Sequence, residues 1–212
     1  MMQRRAVLFG LPLALAGCGG QAVWAPDAAV NAVRYRHPGP TGLTLFTVRN
    51  NGDNQGAHTA LMISASERVI FDPAGTFGHP SIPERNDVIF GVTPRVEEFY
   101  RSYHARASYH VIAQTVDVPP EVAEHALQLA LVAGPIGKTQ CTRATAALLT
   151  QLPGFEGLPR GWFPENLMEA FQGLPGVRAE FFYEDDDDDK EIARAAYDAL
   201  VSGETRLNRP GE

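Results

Sequence analysis

Three short apolar segments in close succession constrain this chain more than any other feature: "LTLFTV" (43–48), "AHTALMIS" (57–64) and "RVIFD" (68–72). Each is rich in Val, Ile, Leu, Thr or Phe and is bounded by turn signals, "RNNGDNQG", "ASE" and "PAG". Three such segments in a row predict an antiparallel meander. The stretch 73–87, with its prolines and glycines, then reads as a loop long enough to be functional.

Helical patterns follow. "RVEEFYRSYHA" (95–105) places Phe99 and Tyr103 on one face after Pro94, and "YHVIAQTVDV" (109–118) is a further strand. "PPEVAEHALQLALVAG" (119–134) opens on two prolines, carries Val122, Ala126, Leu129 and Ala133 as a stripe, and closes on Gly134. In "GKTQCTRATAALL" (137–149), Thr139 is the expected N-cap. Cys141, Ala144, Leu148 and Leu152 fall on one helical face, so the thiol points inward from the first turn. Runs of strands and runs of helices predict an α+β fold, an antiparallel sheet packed against helices.

The N-terminus has a different character. "MMQRR", the apolar run from Ala6 to Ala16 and "LAGC" follow the charged, hydrophobic and small-residue order of a secretory signal, and the run is too short to span a bilayer. Leu15-Ala16-Gly17-Cys18 resembles the bacterial lipobox, which implies a signal at 1–17 and a lipidated Cys18 tethering the protein to a membrane. Ordinary signal cleavage beside a coincidental cysteine is the alternative. Arg4-Arg5 leaves the export route open. Gly19, not aspartate, points to the outer membrane by resemblance to enterobacterial sorting. Residues 18–40, rich in small residues, Gly and Pro, read as a tether. A single domain is expected over 41–204, with a loose tail at 205–212.

A formal charge of −7 without a basic stripe argues against nucleic acid as partner. With Cys18 lipidated, Cys141 has no partner in an envelope compartment that oxidises thiols. Its survival there needs either burial or catalysis as a reason.

The order of "GAHTALMISASERVIFDPAG" and the later cysteine helix resembles the circularly permuted papain-like hydrolases related to NlpC, in which the histidine strand precedes the cysteine helix. The resemblance covers about 43–152 and departs at Thr142, where relatives often carry serine. It implies a permuted papain-like core, Cys141 as nucleophile and His58 as the base that takes its proton. It also implies a third group fixing the imidazole tautomer, for which Asp72 is the candidate. The alternative for Asp72 is a turn-initiating aspartate before Pro73. The backbone N–H of Cys141 is the expected oxyanion donor by position.

His37, His79, His104, His110 and His125 show no metal-ligand spacing, so no metal and no cofactor is expected. His110 is the reserve partner for Cys141, and His79 a residue of the Pro-rich loop. "EDDDDDK" (184–190) lacks the pattern of a calcium loop and reads as a solvated, self-repelling surface loop before a terminal helix at 191–203. "LPGFEGLPRGWFPENLMEAFQGLPGV" (152–177) supplies an aromatic cluster to cover the core. Two functional classes follow. One is an envelope lipoprotein acting as a thiol hydrolase, a cysteine peptidase or amidase, or an acyltransferase, on peptidoglycan peptide or a lipid acyl group. The other is a catalytically inactive, lipid-anchored binding module of the same fold. Oligomeric state is not encoded in any motif.

Overall fold

The β-branched and aromatic residues of the first predicted segment form β1 (Gly42–Asn50), which pairs with β2 (Gly56–Ser64) through a loop held by Asn50, whose side chain accepts from the N–H of Gly52 at 2.7 Å. The computed structural model describes residues 20–207; the candidate lipidation site Cys18 and residues 208–212 lie outside that range. β3 (Arg68–Phe71) extends the meander, followed by the two-residue strands β4 (Glu84–Arg85) and β5 (Val88–Ile89). β6 (Tyr109–Asp117) and β7 (Arg178–Tyr183) complete a seven-stranded open sheet of order β4-β5-β3-β2-β1-β6-β7, every pair antiparallel. The protein is α+β, with six helices among the described residues.

Both faces of the central strands are covered, and β1 is therefore buried along most of its length rather than at alternate positions. On one face Leu43, Leu45, Leu61 and Ile63 meet helix α3 (Pro120–Val132), α4 (Cys141–Leu149) and α5 (Pro164–Gln172). On the other, Phe46, Val48, Ala60 and Met62 meet α2 (Pro94–His104) and α6 (Lys190–Leu207). Thr93 caps α2, its hydroxyl accepting from the N–H of Val96 at 3.3 Å, with Pro94 at the first turn.

Several expectations need correction. The segment read as a tether contains helix α1 (Asp27–Ala32), whose Val30 is buried in the first core, and Trp24 bridges to Arg85. The inner face of α3 runs through Val122, Ala123, Ala126, Leu127 and Ala130, rotated from the stripe through Leu129 and Ala133. Thr139 does not cap α4. It takes a positive φ of 67° and its hydroxyl turns back to Lys138 O, while Gln140 precedes the helix without a side-chain cap. In the 152–177 segment, Phe155, Leu158, Leu167 and Phe171 cover the core as expected, whereas Trp162 and Phe163 are exposed.

The acidic run is docked rather than free. Glu184 and Asp186 pair with the buried guanidinium of Arg106, and Asp188 accepts from the N–H of Ser108 at 2.8 Å. An opposite charge inside the fold thus offsets the self-repulsion expected of the run. No described helix is long and apolar enough to cross a membrane.

Candidate active site

β3 stops short. Its pairing with β2 runs from Ser64↔Arg68 to Leu61↔Phe71, so the first residues of β2, from Gly56 to Ala60, have no neighbour on that side. The chain leaves the sheet at Asp72, and the notch this creates is where the two helical layers meet. His58 shares its face of β2 with Ala60 and Met62, on the α2 side. Thr59 faces α4, where its hydroxyl lies 3.2 Å from that of Thr142. Cys141, the first residue of α4, reaches the notch from the opposite layer. The backbone N–H of Thr59 is directed at its sulfur, and the Thr142 hydroxyl lies 3.9 Å from it.

Asp72 is buried. Its Oδ1 accepts from His58 Nε2 at 2.6 Å and from the Tyr100 hydroxyl at 2.7 Å. With Nε2 engaged, Nδ1 is the imidazole nitrogen left for the thiol, and His58 and Cys141 are close enough for each to shift the other's ionisation. Asp72 also makes the turn expected of an aspartate before proline, its carbonyl accepting from Gly75 N–H at 3.0 Å, so its side chain meets His58 while its backbone turns the chain. Gly75 packs against the carboxylate so closely that a Cβ there would sit 1.8 Å from Oδ2. Asp87 joins this turn to the loop entering α4, accepting from Ala74 N–H at 3.2 Å and from Ile136 N–H at 2.6 Å.

The electrostatics follow from these contacts. Burial opposes charge on His58, but the Asp72 carboxylate, its hydrogen bond and the Cys141 sulfur outweigh it and push the imidazole up to about 10. Burial likewise opposes a Cys141 thiolate. The hydrogen bond and charge of His58, with the Thr59 N–H and Thr142 hydroxyl, overcome it and hold the thiol below its ordinary value. Asp72 is lowered despite its burial, chiefly by the charge and hydrogen bond of His58. His58 is therefore charged at neutral pH beside the Asp72 carboxylate, and its charge favours the thiolate form of Cys141. The uncapped start of α4 adds unpaired N–H groups and the positive end of its dipole beside the sulfur.

Two residues of the site were given no role from sequence. His104, at the end of α2, stacks on His58 with ring centroids 5.7 Å apart and planes at 12°, and its Nδ1 donates to Tyr100 O at 2.8 Å. Its burial, with the positive charge of His58, outweighs the Asp72 carboxylate and lowers it to about 4, so it is neutral beside the charged His58. Tyr100 is fully buried one helical turn earlier. The available signal was their i, i+4 spacing on the inward face of α2, shared with Val96, Phe99 and Tyr103.

The reserve residue His110 is not near the thiol. It lies on β6, with Nδ1 2.7 Å from Asn51 Oδ1 and its ring stacked on Tyr183. His79 pairs with Asp198 at 3.0 Å. His58 and His104 line a cleft of about 290 Å³ whose other walls include Ala57, Thr76, Tyr109 and Lys190. Cys141 sits behind His58 and is 8 % exposed. No family model, curated protein or solved structure matches the chain.

Proposed function

We propose that this protein is a thiol hydrolase or acyltransferase that attacks an amide or ester through Cys141. The observation that carries the reading is the convergence of Asp72, His58 and Cys141 at one notch, with the carboxylate 2.6 Å from His58 Nε2 and an open cleft beside the imidazole. The thiolate adds to a carbonyl carbon, and the N–H of Cys141 at the start of α4 is the donor its position offers to the oxyanion. Collapse passes the His58 Nδ1 proton to the leaving amine or alcohol and leaves a thioester on the sulfur. His58 then takes a proton from water, or from a second substrate, whose attack releases the acyl group and restores the thiol.

The same order of elements, a histidine strand, an aspartate after the next strand and a later cysteine helix on an antiparallel sheet, supports a permuted papain-like core of the NlpC type. We place the protein in the bacterial envelope, anchored through acylated Cys18. Gly20 N–H donates to Pro135 O at 3.4 Å, in the loop leading into α4, so two residues of chain, at most about 7 Å, separate the anchor from the cysteine side of the domain. Peptidoglycan peptide and lipid acyl groups are the candidate substrates.

An inactive binding module is favoured by one observation, the shielding of Cys141 behind the cleft wall. Intact-mass analysis after exposure to an activated acyl ester separates the two. A stable adduct on the native protein that is absent from Cys141→Ser and delayed in His58→Ala supports the enzyme. A sulfur that acylates no faster in the folded than in the unfolded protein leaves the binding module.

A further inference from the structure

We propose that His58, Asp72 and His104 form a binding site for a divalent transition-metal ion of the zinc class. One ligand atom from each lies within 4.8 Å of the others, although 46 positions of chain separate His58 from His104 and no sequence spacing announces the set. Zinc-class ions take imidazole nitrogen and carboxylate oxygen at about 2.0–2.2 Å, so small rotations of three side chains close the sphere. Two imidazoles among three donors disfavour magnesium and calcium, which take oxygen.

The surroundings match what such a site needs beyond its ligands. His104 donates its Nδ1–H to Tyr100 O, which fixes the tautomer and leaves Nε2 as a free lone pair. Tyr100 holds the carboxylate through its hydroxyl at 2.7 Å. The absence of a side chain at Gly75 leaves room for the second carboxylate oxygen. Both imidazoles line the cleft, which supplies an entry path and space for a water or anion as fourth ligand.

Metal entry breaks the His58 Nε2–H bond, the proton leaves to solvent, and the nitrogen lone pair passes to the metal. His58 then no longer shares that proton with Asp72, and metal binding and proton shuttling are mutually exclusive uses of the same ring. Metal would therefore suppress turnover. This consequence, unlike the binding itself, rests on the thiol-hydrolase reading.

The test is calorimetric titration of metal-free Cys141→Ser protein with zinc chloride, paired with the absorption spectrum of the unmutated protein loaded with cobalt(II). One equivalent of zinc should bind the serine variant as tightly as the native chain. His104→Ala should weaken binding by roughly 100-fold or more, beyond the 10–100-fold that loss of an outer partner such as the Tyr100 hydroxyl costs. The cobalt spectrum should lack a thiolate charge-transfer band. It needs no substitution, so it decides the matter even where a variant folds poorly. A thiolate band, loss of binding in Cys141→Ser, or no binding to the folded protein would each overturn the proposal. Acyl capture on Cys141 in metal-free protein reports separately on the enzyme reading.

Discussion

One carboxylate oxygen, Asp72 Oδ1, receives both His58 and Tyr100, and the charge states of the neighbouring rings follow from it. His58 is held charged up to about 10, and its charge holds the Cys141 thiol below the ordinary thiol range near 8.5. Alkylation of Cys141 by iodoacetamide should fall less steeply below about pH 8.5 in the native protein than in His58→Ala, where it should drop about tenfold per pH unit, as the thiolate fraction does. A native profile that falls like a free thiol would remove His58 as the base. His104 behaves in the opposite sense. Its pKa is about 4 in the fold and ordinarily 6.5, so the unfolded chain binds the extra proton. The stability it contributes is complete above 6.5 and is lost as pH falls toward 4, by about 3 kcal/mol over that window. Glu84, raised to about 7 by burial and then by Asp72 and Asp87, works with the reverse sign across the same range. The informative quantity is thus the difference between native and His104→Gln protein in urea melts with chelator present. A constant difference across pH would show that His104 is not a neutral buried base. Cys141, His58 and Asp72 were singled out by the resemblance of their order to the permuted papain-like pattern, and the structure brings all three to one notch. Tyr100 and His104 were not, because only the turn of α2 over the sheet brings them to Asp72.

The elements that the sequence made legible are those whose pattern is internal to the segment. β1, β2, β3 and β6 carry dense β-branched and aromatic residues, and α2 and α3 open on proline. β7 was missed because it is an edge strand, mostly exposed, whose pairing to β6 is decided by tertiary contact. α5 was hidden between Leu-Pro-Gly turns, although Pro164 at its start was a usable signal. The acidic run shows the same limit from the other side, since its charge was plain and its partner was not. Arg106, just past the end of α2, is almost fully buried and donates to Ser102 O at 2.9 Å as well as to Glu184 and Asp186. Asp186 O accepts from Ala107 N–H at 2.9 Å, and Lys190 reaches Thr76 Oγ1 at 3.1 Å, so the run forms one wall of the cleft. Arg106→Leu should release that wall and cost about 2 kcal/mol. This is less than the 3–5 kcal/mol of a fully buried pair, because Glu184 and Asp186 keep partial contact with water. Hydrogen exchange reads it directly, through faster exchange at Ala107 and Ser108 with the β1–β2 amides unchanged. Protection retained at those two amides would mean that Asp188 alone holds the run.

At the scale of the whole molecule, the site exists because two helical layers on opposite faces of one sheet meet at the edge where β3 ends. α4 supplies the thiol from one side, α2 supplies Tyr100 and His104 from the other, and β2 carries His58 between them. The segment from Gly20 to Pro40 bears on how this assembly is held. Read from composition it is a tether, and a flexible chain over 18–40 would let the domain wander roughly 25 Å from an anchor. Its contacts describe a clasp instead. Ala25 N–H donates to Glu84 O at 3.0 Å, Arg85 stacks on Trp24 at 4.7 Å and pairs with Asp27, and Val30 enters the core. Val33 lies against Gly91, where φ is 70° and a Cβ would come within 2.8 Å of the valine side chain, so that close approach depends on glycine. Burying one valine contributes about 1.5–3 kcal/mol, and with the smaller contacts the clasp should contribute roughly 2–4 kcal/mol. A chain beginning at residue 41 should therefore melt roughly 5–15 °C below one beginning at residue 20, at the 2–4 °C per kcal/mol expected for a domain of this size. Equal melting temperatures would restore the tether and the wide reach it implies. A lowered one means that residues 20–40 belong to the fold, so that under the proposed lipidation of Cys18 the anchor would join the domain at Gly20 and the Pro135 loop. On that proposal, the bonds within reach would be those close to the membrane surface.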